Sequence, residues 1–219
     1  LTAWALPYVF NIEAYASKEK LSGTEETVID AFELNLVPET SPYAFVADWH
    51  GFNEVRFMSE LYKKNFNIRY VLKTFYSGGK EYNRGSLIIT KADNSHLGNK
   101  FDQLVIDAAN KARITLDPVS SGLSKRGFDI GSPQNTVLKR KPEIALLGGK
   151  GTEIGSFGQL WYFFQTEIDY PVTVVGMDYL TSVDLTKYDL IIMPSGEYMN
   201  VKEKLFIYVK NGGQMLALE

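Results

Sequence analysis

Apolar positions along this 219-residue chain form two alternating series of short strands and amphipathic helices, with a polar, glycine-containing stretch between them. The first series opens at Tyr43-Ala44-Phe45-Val46-Ala47, a β-like run. Phe52, Val55, Met58, Leu61 and Tyr62 then recur three or four apart across 51–64, which places them on one face of a helix. Ile68 to Leu72 predicts a second strand. Ser77-Gly78-Gly79-Lys80, set between Phe75-Tyr76 and Glu81-Tyr82, predicts a hairpin. A further strand is expected over 86–90. Phe101, Leu104, Val105, Ala108, Ala109 and Ala112 define a clean amphipathic helix, and Thr115-Leu116-Asp117 reads as one more short strand.

The second series begins with Ile144-Ala145-Leu146-Leu147, a wholly apolar run suited to a strand buried on both faces. A helix is expected from Ser156, where Gln159 completes a Ser-x-x-Gln capping box, with Phe157, Leu160, Trp161, Phe164 and Ile168 on its apolar face. The run Trp161-Tyr162-Phe163-Phe164 implies burial on more than one side. Strands follow at 172–175 and 190–193. Asn200 and Glu203 have cap-like spacing for a helix carrying Leu205 and Val209, closed by Asn211-Gly212-Gly213. Met215 to Leu218 starts a fourth strand. Strand–helix–strand–strand–helix–strand is the order of part of a doubly wound sheet, here expected to be unfinished.

These patterns divide the chain into a lead-in segment (1–41), a first α/β unit (42–120), a linker (121–142) and a second α/β unit with a parallel sheet (143–219). The linker carries Gly122, Gly127, Gly131, Pro133 and the basic cluster Lys139-Arg140-Lys141, and is expected to be irregular. The opening stretch Leu1–Ala16 holds Trp4, Tyr8, Phe10 and Tyr15 and is expected to pack on this protein or on a neighbour. Polar residues over 17–27 read as a loop. The chain opens at Leu1 without the charged and apolar regions of a signal peptide, so it reads as a piece whose targeting signal would lie outside it.

Composition narrows the chemistry. With 45% hydrophobic residues the chain has the means to bury a core, and no apolar run approaches the roughly 18 residues of a membrane span. A net charge of -3 without a long run of either sign argues against a nucleic-acid partner. The absence of cysteine excludes disulfides, thiol nucleophiles and thiolate metal sites. Only His50 and His96 could serve as imidazole acid–base groups.

No catalytic or metal-ligating residue emerges from motif spacing. His50 and Glu54 are four apart, but neither His-Glu-x-x-His nor His-x-x-Glu is present. Gly148-Gly149-Lys150-Gly151 lies between a strand and a helix, where phosphates bind, yet its spacing fits neither the P-loop nor the dinucleotide fingerprint. Pro194-Ser195-Gly196-Glu197 follows a buried strand but lacks the Gly-x-Ser-x-Gly elbow and a later histidine. Carboxylate pairs such as Asp184 with Asp189, and Glu25-Glu26, read as solvated surface groups. Gly149, Ser195 and Glu197 remain as candidate ligand-binding residues, because open α/β sheets bind ligands at their strand ends.

Several stretches resemble the region after the catalytic domain of bacterial zinc carboxypeptidase-like proteins of the carboxypeptidase A superfamily. They are Leu1-Thr2-Ala3-Trp4-Ala5-Leu6-Pro7-Tyr8, Ser121-Gly122-Leu123, Asp129-Ile130-Gly131-Ser132, Pro142 to Leu147, Ser156 to Trp161 and Tyr170-Pro171-Val172-Thr173. Tyr188 to Gly196 and Gly212 to Leu218 are similar to a class I glutamine amidotransferase-like domain of flavodoxin-like fold. The resemblance implies a non-catalytic accessory region whose partner is an upstream peptidase domain of the same polypeptide, in a periplasmic or secreted protein. Zinc would belong to that peptidase domain, with no cofactor in this chain. An active amidotransferase would carry a cysteine after the strand beginning at Met215, and this chain has none. Two alternatives are a small-ligand-binding module without glutaminase activity and a self-association module that forms a homo-oligomer through the open sheet edge.

Overall fold

A computed structural model of the chain describes residues 7, 13–20, 32–134 and 136–218. The packing expected of Leu1–Ala16 and the loop expected over 17–27 lie largely outside the described residues. Residues 1–31 and 32–219 form separate units. Within the first, Tyr15 is exposed, and the Ser17 hydroxyl donates to the Glu19 carbonyl at 3.0 Å while accepting from its N–H at 3.1 Å.

Residues 32–219 hold two larger sheets. The first contains β1 (Ala44–Ala47), β2 (Ile68–Val71), β5 (Leu87–Thr90), β6 (Asp117–Val119) and β7 (Thr136–Lys139), in the order β6-β1-β5-β2-β7, with every pair antiparallel. β3 (Phe75–Ser77) and β4 (Lys80–Tyr82) form the expected hairpin. Helix α1 (Phe52–Lys63) joins β1 to β2, and α2 (Phe101–Ala112) joins β5 to β6. Each of these two βαβ crossovers spans one strand of the other, so they interleave. β1 and β5 are buried along their whole length, in keeping with the apolar runs Ala44–Ala47 and Leu87-Ile88-Ile89. Phe45, Ala47, Leu87 and Ile89 pack under α1 and α2 with Phe57, Leu61, Val105 and Ala109. Ala44, Val46 and Ile88 face the opposite layer, with Phe75, Tyr82 and Ile130.

The second sheet is parallel, in the order β9-β8-β10-β11, from β8 (Ile144–Gly148), β9 (Thr173–Gly176), β10 (Leu190–Met193) and β11 (Gln214–Ala217). α3 (Ile154–Tyr162) follows β8, and α4 (Lys202–Lys210) links β10 to β11. Ala145, Leu147, Ile191 and Met193 pack with Leu205 and Tyr208 from the α4 side. On the other face, Leu146 and Ile192 join Phe164, Ile168 and Tyr170 in the same core cluster as α1 and α2. Arg56 Nε donates to the Glu167 carbonyl at 2.8 Å, and Ser59 Oγ to the Asp169 carbonyl at 2.8 Å. The chain is therefore mixed α/β, with one antiparallel and one parallel sheet sharing a core.

Five details differ from the sequence expectation. β6 starts at Asp117 rather than Thr115. The stretch expected to be irregular supplies β7, which pairs with β2 from Thr136 to Lys139. Four residues that follow turn-formers and run into a basic cluster carry too little pattern to stand out as a strand, and pairing with β2 supplies the missing stabilisation. α3 starts at Ile154, ahead of Ser156, and runs on into a π-helical turn over Phe163–Glu167. Of the aromatic run, Phe164 alone is buried, while Trp161, Tyr162 and Phe163 are 46%, 56% and 38% exposed. Asn200 sits inside a 3-10 turn over Met199–Val201 rather than capping α4.

Candidate functional site

The strand order of the parallel sheet reverses between β8 and β10, which brings the loops holding Gly149 and Ser195 side by side at the carboxyl ends of these strands. Gly149 and Gly151 take φ of 94° and 100°, a region that only glycine enters without strain, so the chain can turn sharply from β8 into α3. The two loops are tied directly together. Glu153 N–H donates to the Ser195 carbonyl at 2.8 Å, and Glu197 N–H to the Gly151 carbonyl at 2.8 Å. Thr152 and Gly196 form an antiparallel bridge. A Cβ on Gly196 would lie 2.4 Å from the Gly151 carbonyl oxygen, so this approach requires glycine.

The side chains reinforce the closure. Ser156 Oγ accepts from the Ser195 N–H at 3.0 Å, and Ser195 Oγ lies 3.4 Å from the Leu218 carbonyl. Tyr198 donates its hydroxyl to the Pro194 carbonyl at 2.6 Å. Glu153 occupies the amino terminus of α3, where its carboxylate accepts from Gly155 N–H at 2.8 Å and from Ser156 N–H. Those two backbone bonds hold the carboxyl below the usual carboxylate range. A helix amino terminus attracts anions because its first N–H groups are unpaired. Here the chain's own carboxylate takes that place. The three candidates thus share one end of the sheet, but the backbone groups around them bond to each other.

Sequence reasoning placed the α3 cap at Ser156 and missed Glu153. Glutamate is not among the favoured N-cap residues, whereas Ser-x-x-Gln is a recognised start signal. A second missed arrangement lies beside the antiparallel sheet. Lys80, from the hairpin, pairs with Asp48 at 2.9 Å and Asp117 at 2.7 Å. Burial works against its charge, but the two carboxylates outweigh it and raise the ammonium pKa. Ser86 Oγ donates to the other Asp48 oxygen at 2.9 Å. Nothing in the linear spacing of positions 48, 80, 86 and 117 signals this group. His50 lies just ahead of α1, as its position after β1 predicts, and His96 falls in a short helical turn over Ser95–Lys100. Among the described residues no cluster of three or more His, Asp or Glu is arranged to hold a metal ion. None of the helices among them is long and apolar enough to cross a membrane.

No protein-family model matches the chain, and comparisons with curated proteins and with solved structures found no match.

Proposed function

We propose that this chain is a non-catalytic accessory region of a zinc carboxypeptidase-like protein, which packs on the peptidase domain of the same polypeptide and modulates it. The observation that carries the packing role is the apolar surface of the parallel half. Phe206, Ile207 and Val209 of α4 are 68%, 56% and 43% exposed, and Met215, Leu216 and Leu218 at the edge strand are 41%, 47% and 37% exposed. Apolar groups gathered on neighbouring elements are the usual mark of a surface that another body covers. The peptidase identity rests on the sequence resemblance alone, as does a periplasmic or secreted location.

Two measurements test this reading together. Sequencing the coding region upstream should find His-x-x-Glu with a further His, the three-ligand zinc pattern. Hydrogen exchange at α4 and β11 should slow at least tenfold when the chain is part of that longer polypeptide. Equal exchange in both contexts, or an upstream region without the zinc pattern, overturns the proposal.

One observation favours the alternative, a flavodoxin-like, amidotransferase-like module that binds a small ligand without glutaminase activity. The order β9-β8-β10-β11 places a strand-order reversal at Gly149, Ser195 and Glu197. The bonded loops and the Glu153 cap mean that a ligand there would have to displace hydrogen bonds already made.

A further inference from the structure

We propose that a groove along the seam between the two sheets binds a neutral disaccharide, with one sugar ring stacked on Trp161. Two cavities of about 550 and 370 Å³ lie side by side there and share Gln165 and Asp169 in their walls. Both volumes fall within the range of small-molecule sites, which favour junctions between structural units. The larger cavity runs between α1, the end of α2 and the turn beyond α3, and the smaller continues towards the start of β9. The groove lies on the face of the parallel sheet opposite α4, so it is independent of the apolar surface on which the accessory role rests.

Two observations point to the chemistry of the ligand. The first is aromatic. Trp161 is 46% exposed on the last turn of α3 yet lines the smaller cavity, with Tyr170 and Pro171 as its other rings. An indole left open beside a cavity offers a broad, flat apolar surface. The axial C–H groups of a pyranose pack flat on such a surface, while its hydroxyls reach outward.

The second is a balance of charge. Arg56, Lys63 and Lys111 line the groove together with Glu60, Glu167 and Asp169, three cations with three carboxylates. Arg56 pairs with Glu167 at 3.0 Å, Lys63 and Lys111 with Glu60 at 2.6 and 2.7 Å, and Lys63 also with Asp169. Charges that neutralise one another favour neither an anion nor a cation as ligand. They still leave hydrogen-bonding groups unused: Lys63 bonds only one oxygen of Asp169. The side chains of Gln165 and Thr166, exposed on the π-helical turn, make no hydrogen bond among the described residues. Single π-helical turns are frequent at functional sites. A sugar hydroxyl donates and accepts at once, and so matches a wall that mixes free donors with free acceptors. Two cavities joined at Gln165 and Asp169 take two linked rings.

Isothermal titration of the intact chain with glucose, N-acetylglucosamine, maltose, cellobiose and chitobiose tests the proposal. At least one disaccharide should bind saturably, and at least tenfold more tightly than its monosaccharide. Trp161→Ala should weaken that binding at least tenfold with circular dichroism unchanged. Should Trp161→Ala unfold the protein, Gln165→Ala on the shared wall should weaken binding at least tenfold instead. Glucosamine and glucuronate, charged forms of the same ring, should bind no more tightly than glucose. No saturable binding by any of these sugars overturns the proposal, as does a monosaccharide that binds as tightly as its disaccharide. Undiminished binding by a folded Trp161→Ala or Gln165→Ala variant, or tighter binding of a charged ring than of glucose, also overturns it.

Discussion

Arg69 and Asp93 show how a few polar side chains set local structure where β2 meets the turn after β5. The guanidinium forks onto the carboxylate, Nε to Oδ2 at 2.6 Å and a terminal nitrogen to Oδ1 at 2.9 Å, and Thr90 Oγ1 adds a third bond at 2.5 Å. Burial works against the Asp93 charge, but the bonds from Arg69 and Thr90 outweigh it and hold the carboxyl below its ordinary value of 3.8. A carboxyl depressed in the folded state binds fewer protons than in the unfolded chain. Its contribution to stability is complete above the ordinary value and is lost as pH falls through the lower folded value. Urea unfolding of the wild type should therefore lose stability as pH falls below about 4, and Asp93→Asn should lose less over that range. Matching acid limbs would refute the assignment. The neighbouring Asn94, fully buried, donates to the Asn67 and Thr90 carbonyls at 3.0 and 2.9 Å and accepts from the Asn67 N–H at 2.7 Å. Neither residue is marked in the sequence, because polar pairs that meet across a turn leave no periodic trace.

At the scale of elements, the segment before β1 is held to the end of α2 by a pair of asparagines. Asn110 Oδ1 accepts from both the backbone N–H and the side-chain amide of Asn35 at 2.8 Å, and its own amide donates to the Asn35 carbonyl at 3.0 Å. Asn35 also donates to the Ile114 carbonyl at 2.7 Å and accepts from the Leu116 N–H at 2.8 Å. These bonds secure the left-handed exit of α2 at Arg113, where φ is 59°, and so set the start of the turn into β6. Asn110→Ala removes three of them and leaves part-buried backbone groups unpaired, a loss of about 1–3 kcal/mol. Chemical denaturation should register that loss, and hydrogen exchange should show faster opening at Asn35 and Leu116. An unchanged denaturation midpoint would mean that apolar packing alone holds the segment.

For the residues from 32 onward, the central fact is the core that crosses from one sheet to the other. Phe57, Leu61 and Tyr62 of α1 share it with Phe164, Ile168 and Tyr170 beyond α3, and the Tyr62 and Tyr170 rings meet edge to face with centroids 6.4 Å apart. Glu60, Lys63, Lys111 and Asp169 ring the edge of this contact: Lys63 and Lys111 both bond Glu60, at 2.6 and 2.7 Å, and Lys63 also bonds Asp169. Glu60 is buried, so the two lysines offset the cost of covering its charge, while the exposed Asp169 end contributes little beside the apolar contact. A shared core makes the two sheets unfold as one. Trp49 lies in the antiparallel half and Trp161 in the parallel half, so variants that keep one or the other as sole tryptophan report each half separately. Their urea transitions should coincide in midpoint and slope. Two separated transitions would show that the sheets are energetically independent.

Hydrophobic periodicity by itself determined most of the elements, because strand and helix periods are local properties of short windows. β1, α1, β2, the hairpin, β5, α2, β8, β9, β10 and β11 all lie within a few residues of their expected places. The mixed α/β class was legible for the same reason, and so was the position of Gly149, Ser195 and Glu197 in loops that follow apolar strands. Tertiary structure decided what depends on residues far apart in the chain. It made the first sheet antiparallel, because β5 inserts between β1 and β2, and it recruited β7 from a stretch with no pattern of its own. It put Glu153 on the end of α3 and tied Gly151, Ser195 and Glu197 into bonded loops. It also placed Lys80 between Asp48 and Asp117, and opened a cavity beside Trp161. Charge pairing and cavities arise where separate segments converge, and a linear pattern carries no record of that convergence.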